Sequence, residues 1–202
     1  DAANQLWGTE SPWGTFPAVS AGWSVSNESF LADQQVFNDL KIRAGYGVTG
    51  TRPSDLFGGI SLLNYADYVY VNGSWVRVLI PAQNPNPDLR WEEKHETNFG
   101  IDFALMNSRI SGSIDYYIRK IDGLLFDYSV PSPPNLYTTT RANVGEMENK
   151  GLEVLLNLIP VQSNDFDWSS TVTFSTNSNK LISLSNDLYQ ASTDYFTTGY
   201  TG

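Results

Sequence analysis

The chain contains no cysteine and a single histidine, His95. Without cysteine there is no disulfide framework, thiolate metal site or cysteine nucleophile. A lone histidine rules out a metal centre built on several His from this chain alone, and no catalytic triad is visible around it. Basic residues are also scarce. Twelve Lys and Arg stand against 22 Asp and Glu, a formal net charge of -10, so the clustered positive charge that grips a phosphate backbone is missing and nucleic acid is not a partner. No run approaches the roughly 18 consecutive apolar residues of a membrane helix. That last absence leaves membrane strands open, because a strand crosses in about 9–11 residues and hides its signal in alternation.

Aromatic rings and alternation are what the sequence has. It carries 6 Trp, 11 Tyr and 10 Phe in 202 residues, and amphipathic rings favour half-wet positions. In GLEVLLNLIPVQSNDFDWSSTVTFS (Gly151 to Ser175), Leu152, Val154, Leu156 and Leu158 share one parity. After the polar turn PVQSND, Trp168, Val172 and Phe174 oppose Ser169, Thr171, Thr173 and Ser175. The two-residue period predicts strands with one apolar and one polar face. The same design recurs in FPAVSAGWSV, LKIRAGYGV, TNFGIDFAL and RISGSIDYYI, which predicts six strands. Lys41, Arg43, Asp102, Asp115, Arg119 and Glu153 all fall on the polar parity, which reads as a wet interior. One helical stretch of one or two turns is expected in NESFLADQQVF, capped at Asn27 or Ser29.

The connections alternate in length. MNS and PVQSND are tight, whereas 49–90 and 121–149 are long excursions. Short turns on one rim and long loops on the other, with Trp23, Phe37, Phe103, Phe166 and Trp168 near the short rim and Trp91 near the other, describe an up-and-down transmembrane barrel. A soluble β-sandwich that binds glycans is the alternative, since its sheets alternate too. Six strands cannot close a membrane barrel, whose smallest single-chain forms have about eight.

Five blocks taken together, FPAVSAGWSVS, LKIRAGYGVTG, NPDLRWEEKHETNFGIDF, RISGSIDYYIRK and NVGEMENKGLEV, resemble the barrel of SusC/RagA-type TonB-dependent transporters of Bacteroidetes, over about Phe16 to Lys180. The resemblance implies an all-β, antiparallel segment of a barrel of about 22 strands. It also implies an outer-membrane location and active import of oligosaccharides or peptides. Partners would be a SusD-like surface lipoprotein acting as a lid, TonB (through N-terminal parts this sequence does not show), outer-membrane lipid and the nutrient itself. On that reading residues 1–202 are part of the C-terminal half of a longer protein, with no plug domain and with 49–90 and 121–149 as extracellular loops.

No catalytic site is assigned. The carboxylate pairs Glu92/Glu93 and Glu146/Glu148 invite comparison with glycosidases, but nothing in the sequence makes them converge across a bond. His95 reads as a polar interfacial residue on the outward face. Oxygens in DAANQ, NPNPD and SNDFD suit hard cations, yet match no ligand loop, and solvated turns are the reading adopted. No cofactor and no metal is assigned. Asn72-Gly73 predicts a hairpin turn within YADYVYVNGSWVRVLI. The rings it lifts, Tyr65, Tyr68, Tyr70 and Trp75, together with Tyr128 and Tyr137, are the candidate contacts to substrate or lid; small cores within the loops would use such rings equally well.

Overall fold

The structure, a computed structural model, describes residues 6–31, 36–54 and 57–184. Among these residues eight strands follow in chain order: β1 Ala18–Ser24, β2 Phe37–Thr51, β3 Leu63–Val71, β4 Ser74–Pro81, β5 Glu92–Leu105, β6 Ile110–Ser129, β7 Thr139–Gln162 and β8 Asp167–Ser183. Six form one antiparallel sheet in the order β1-β2-β5-β6-β7-β8, so chain neighbours are sheet neighbours once the β3–β4 hairpin is set aside. The six predicted strands are these six. Among its described residues the stretch expected to be helical holds the last residue of one 3-10 turn, Val25–Asn27, and the whole of another, Ser29–Leu31. Asn27 ends the first turn and Ser29 begins the second, so neither caps a longer helix.

The register makes each face explicit. Trp23, Ile42, Ile101, Ile114, Val154 and Phe174 stand in one cross-strand row, and Ala21, Ala44, Phe99, Tyr116, Leu152 and Thr176 in the next. Between these rows, on the opposite face, run Gly22, Arg43, Gly100, Asp115, Glu153 and Ser175. No second sheet covers the apolar rows among the described residues; Phe99 is 54% exposed and Phe174 55%. Each large apolar side chain left in water forgoes about 1.5–3 kcal/mol of burial. A continuous face of them is therefore a surface for hydrocarbon. The sandwich alternative fails here, because Ile101, Val154 and Phe174 lie side by side on one sheet.

The strands are longer than alternation suggested. β6 has 20 residues and β7 has 24, well beyond what crossing requires. Within the expected 121–149 loop, pairing continues to Ser129↔Thr139 and only 130–138 connects the two strands. Two register shifts, at Asp122/Leu124 and Leu124/Leu125, break the two-residue period there. Above the lipid, moreover, both faces meet water and need no apolar side. Both effects erase the pattern while leaving the ladder intact. The 49–90 excursion contains the predicted hairpin, β3–β4, with Asn72 at φ 49° and Gly73 at φ 84°. Two consecutive residues at positive φ are what a tight twisted hairpin turn demands.

Among the described residues buried apolar side chains are few, and all but Val25 lie toward the long-connection rim. Leu6, Leu89 and Trp91 form the cluster, with Phe16 and Leu125 packed against it. The Phe16 and Trp91 rings meet edge-on at 5.1 Å. Trp91 is thus buried and donates its indole N–H to the Pro12 carbonyl at 3.3 Å. It is the centre of a rim cluster, and not the headgroup-level ring expected.

Candidate functional site

Two surfaces carry polar chemistry: the wet face of the wall, and the rim above it. On the wet face, Arg43 donates from Nε to Asp102 Oδ2 at 2.7 Å and from Nη2 to Asp102 Oδ1 at 2.9 Å and Asp115 Oδ1 at 3.0 Å. Such a forked pair fixes orientation as well as charge. It depends on Gly100: a Cβ there would lie 2.5 Å from Asp115 Oδ1 and 2.8 Å from Arg43 Cζ. Farther toward the long-connection rim, Arg119 donates to Glu96 at 2.9 Å, Lys94 approaches the same carboxylate at 3.7 Å, and the Arg119 guanidinium lies 5.5 Å from the Tyr117 ring centre. These charges neutralise one another on the wall. Beside them Tyr117, Glu153, Ser175 and Asn177 line an open depression. Gly151 stands between Tyr117 and Asn177 in the register, and a Cβ there would meet the Tyr117 hydroxyl at 2.6 Å.

At the rim, asparagine side chains stand in for a missing ladder. Prolines at 85 and 87 remove two backbone donors from NPNPD. Asn84 compensates with four bonds: its Nδ2 donates to the carbonyls of Tyr137 (2.7 Å) and Thr139 (2.9 Å), and its Oδ1 accepts from the N–H groups of Leu136 and Tyr137 (both 3.1 Å). Asn86 Nδ2 donates to the Arg141 carbonyl at 2.8 Å. Asn143 answers from β7, accepting from the Arg90 N–H at 2.9 Å and donating to the carbonyls of Arg90 (3.0 Å) and Gly123 (2.8 Å). The segment 84–91 is thereby clamped across the upper β6–β7 hairpin. Sequence reasoning missed these three asparagines. The flanking prolines were the available signal, since a buried segment without N–H groups must find donors elsewhere.

The six candidate rings divide. A bulge between Tyr65 and Tyr68 inserts one extra residue into β3, so that Tyr65, Tyr68 and Tyr70 face Leu79, Arg77 and Trp75 in order. Without it, Tyr65 would point away from the other two. Tyr70 and Trp75 lie 5.2 Å apart, and the Arg77 guanidinium sits 4.6 Å from the Tyr65 ring centre. These four rings share one exposed face. Tyr137 instead clasps the base of the hairpin, its hydroxyl donating to the Pro81 carbonyl. Tyr128 stands on β6 opposite Thr140, on a different hairpin.

Other expected groups are absorbed locally. Glu92 accepts from the Leu125 N–H at 3.1 Å, whereas Glu93 on the opposite face lies 3.4 Å from His95. His95 Nδ1 and the Tyr46 hydroxyl are 2.9 Å apart, at the upper margin of the outward face. Asn84 and Asn86 spend their oxygens on backbone N–H groups, and so do Ser163 and Asp167 in the SNDFD turn. DAANQ lies outside the described residues.

A single antiparallel sheet with an oily outer face, a charge-balanced wet face and long decorated connections on one rim defines a wall segment of an outer-membrane β-barrel. A family model described as TonB dependent receptor-like, beta-barrel matches residues 3–202. The chain is 36% identical over 176 residues to TonB-dependent receptor P39 of Formosa agariphila, covering 87% of this chain and 16% of that protein. It is also 36% identical over 180 residues to TonB-dependent receptor SusC of Bacteroides thetaiotaomicron, covering 87% and 18%. Among solved structures it is similar to the RagAB peptide transporter (25% identity, TM-score 0.70, 84% of this chain and 18% of that one). The closed-closed state of the RagAB peptide importer gives a TM-score of 0.76 at 24% identity, over 91% and 20%. The chain belongs to the TonB-dependent receptor β-barrel family, of the SusC/RagA type, and spans about a fifth of the length of these relatives.

Proposed function

We propose that this chain forms part of the barrel wall and of the extracellular vestibule of an active importer of oligosaccharides or peptides. The observation that carries the reading is the two-faced six-stranded wall, matched along its length to receptor barrels. The family's members are transporters and receptors rather than enzymes, and import across the outer membrane follows from that class. The short-turn rim then faces the periplasm, and residues 49–90 with the 130–138 connection face outward. A SusD-like lipoprotein closes over this rim, and TonB acts through parts of the protein beyond this segment. The shared face of Tyr65, Tyr68, Tyr70 and Trp75 supports ligand or lid contact, because exposed rings stack on sugar faces and apolar side chains. Tyr128 and Tyr137 belong to the same vestibule.

The test uses the complete transporter in its native host. Uptake of its oligosaccharide or peptide should collapse with a protonophore or without TonB, and the lipoprotein should co-purify. Uptake indifferent to both treatments would sink the proposal. Tyr70→Ala with Trp75→Ala should weaken capture of ligand or lid by about tenfold while leaving the barrel's unfolding midpoint unchanged.

A further inference from the structure

The outward face ends, at its long-connection side, in a group of lysines that the transport reading does not use. Three of the chain's five lysines, Lys120, Lys150 and Lys180, lie there on three adjacent strands. Lys120 and Lys180 flank Glu148 in one cross-strand row, and Lys150 stands one row nearer the apolar band, opposite Ile118 and Ser178. Lys120 and Lys180 are thus two strands apart, about 10 Å. Glu148 is shared, with Lys120 Nζ at 4.0 Å and Lys150 Nζ at 3.8 Å. The Lys120 side chain remains 62% exposed and that of Lys150 51%. One carboxylate among three ammonium groups leaves a local excess of positive charge on a chain whose net charge is -10.

Height on the wall gives this excess its meaning. Tyr116 and Leu152 form the last largely apolar row below it, and Glu93, Asp122 and Glu146 form an acidic row above. The lysines therefore point outward at the border of hydrocarbon and water. A lysine there keeps its stem along the apolar surface and lifts its ammonium to headgroup level. We infer that Lys120, Lys150 and Lys180 form a seat for a phosphate-bearing lipid headgroup of the outer leaflet. Phosphate complements the net charge, and ammonium groups bind it as point charges without needing a fixed fork. The acidic row repels phosphate and confines it to the lysine row. The inference rests on the outward orientation of the apolar face and is independent of what the transporter imports.

The experiment takes the complete, delipidated transporter in detergent and titrates it by native mass spectrometry with a phosphorylated glucosamine-disaccharide glycolipid and its dephosphorylated counterpart. The phosphorylated lipid should bind at least tenfold more tightly. Each lysine near an anionic surface contributes about fivefold, so replacing all three with Gln should cost on the order of a hundredfold. The triple Arg variant should keep the preference. Glu148→Gln should tighten binding about threefold, whereas a merely structural Glu148 predicts weakening. Equal binding of the two lipids, a triple Gln variant that binds like the original, or displacement of the lipid by millimolar inorganic phosphate would each overturn the lipid seat. Should the triple variant fail to fold, the Glu148→Gln arm decides: tightening supports the seat, and anything else refutes it.

Discussion

The wall and the β3–β4 hairpin are built from similar alternating strands, yet alternation serves opposite ends in them. In the wall the six strands hold a common register through the crossing region, so its central rows are mainly oily on one face and mainly wet on the other. The hairpin has only two strands, and both of its faces are exposed: rings on one, and Val69, Val71, Val76 and Ile80 on the other. Two strands alone are marginally stable in water, so the hairpin is held by its turn and its base. The base is the Tyr137 hydroxyl on Pro81, with Asn84 bound to the neighbouring backbone. In the wall, solvent on two sides decides what each residue must be. In the hairpin, a local bulge decides which residues meet.

The sharpest way to break the comparison is to place charge on each face of the wall. Val154→Arg, in the middle of the apolar rows, should destabilise the complete barrel in lipid by about 2–4 kcal/mol. Glu153→Arg, one residue away on the wet face, should cost under about 1 kcal/mol. Urea midpoints of the two variants test this, and equal shifts would erase the distinction between the faces. Next in size is Gly100→Ala, whose added Cβ meets the Arg43 guanidinium and the Asp115 carboxylate. A cost of about 1–3 kcal/mol is expected, falling toward zero when Arg43 is already Ala; a penalty unchanged in that background would mean the strain lies elsewhere.

The hairpin should respond locally. Gly73 sits at φ 84° with nothing within 4 Å of an added Cβ, so conformation alone opposes a side chain there. Gly73→Ala should weaken the turn by about 1 kcal/mol. The readout is faster protease nicking near 72–73 with no shift of the barrel's midpoint. Smallest of all is Arg43→Gln. Its side chain and that of Asp102 are each 35% exposed, and a partly solvated pair contributes under about 1 kcal/mol to the same urea midpoint.

Much of the candidate vestibule was legible, though for different reasons in different places. Asn72-Gly73 announces its turn because two successive positive φ values restrict residue choice. The gathering of Tyr65 with Tyr68 and Tyr70 was not legible by parity, since 65 and 68 are of opposite parity until a bulge reconciles them. Asn84, Asn86 and Asn143 looked like ordinary loop residues. Their roles appear only when a proline-bearing segment lies across β6 and β7 and needs partners. Trp91 read as a surface ring because its neighbours Leu6 and Phe16 come from a distant part of the chain.

Sequence alone determined the two-faced character of the six crossing strands, because the alternation of side chains along an extended backbone is a matter of covalent geometry and needs no partner. It also determined that the oily face continues through every one of those strands. Tertiary structure decided which residues stand in each row, where the long ladders of β6 and β7 end, why Gly100 must be bare, and which two lysines share one carboxylate. Those are properties of register and crossing, and register exists only between strands.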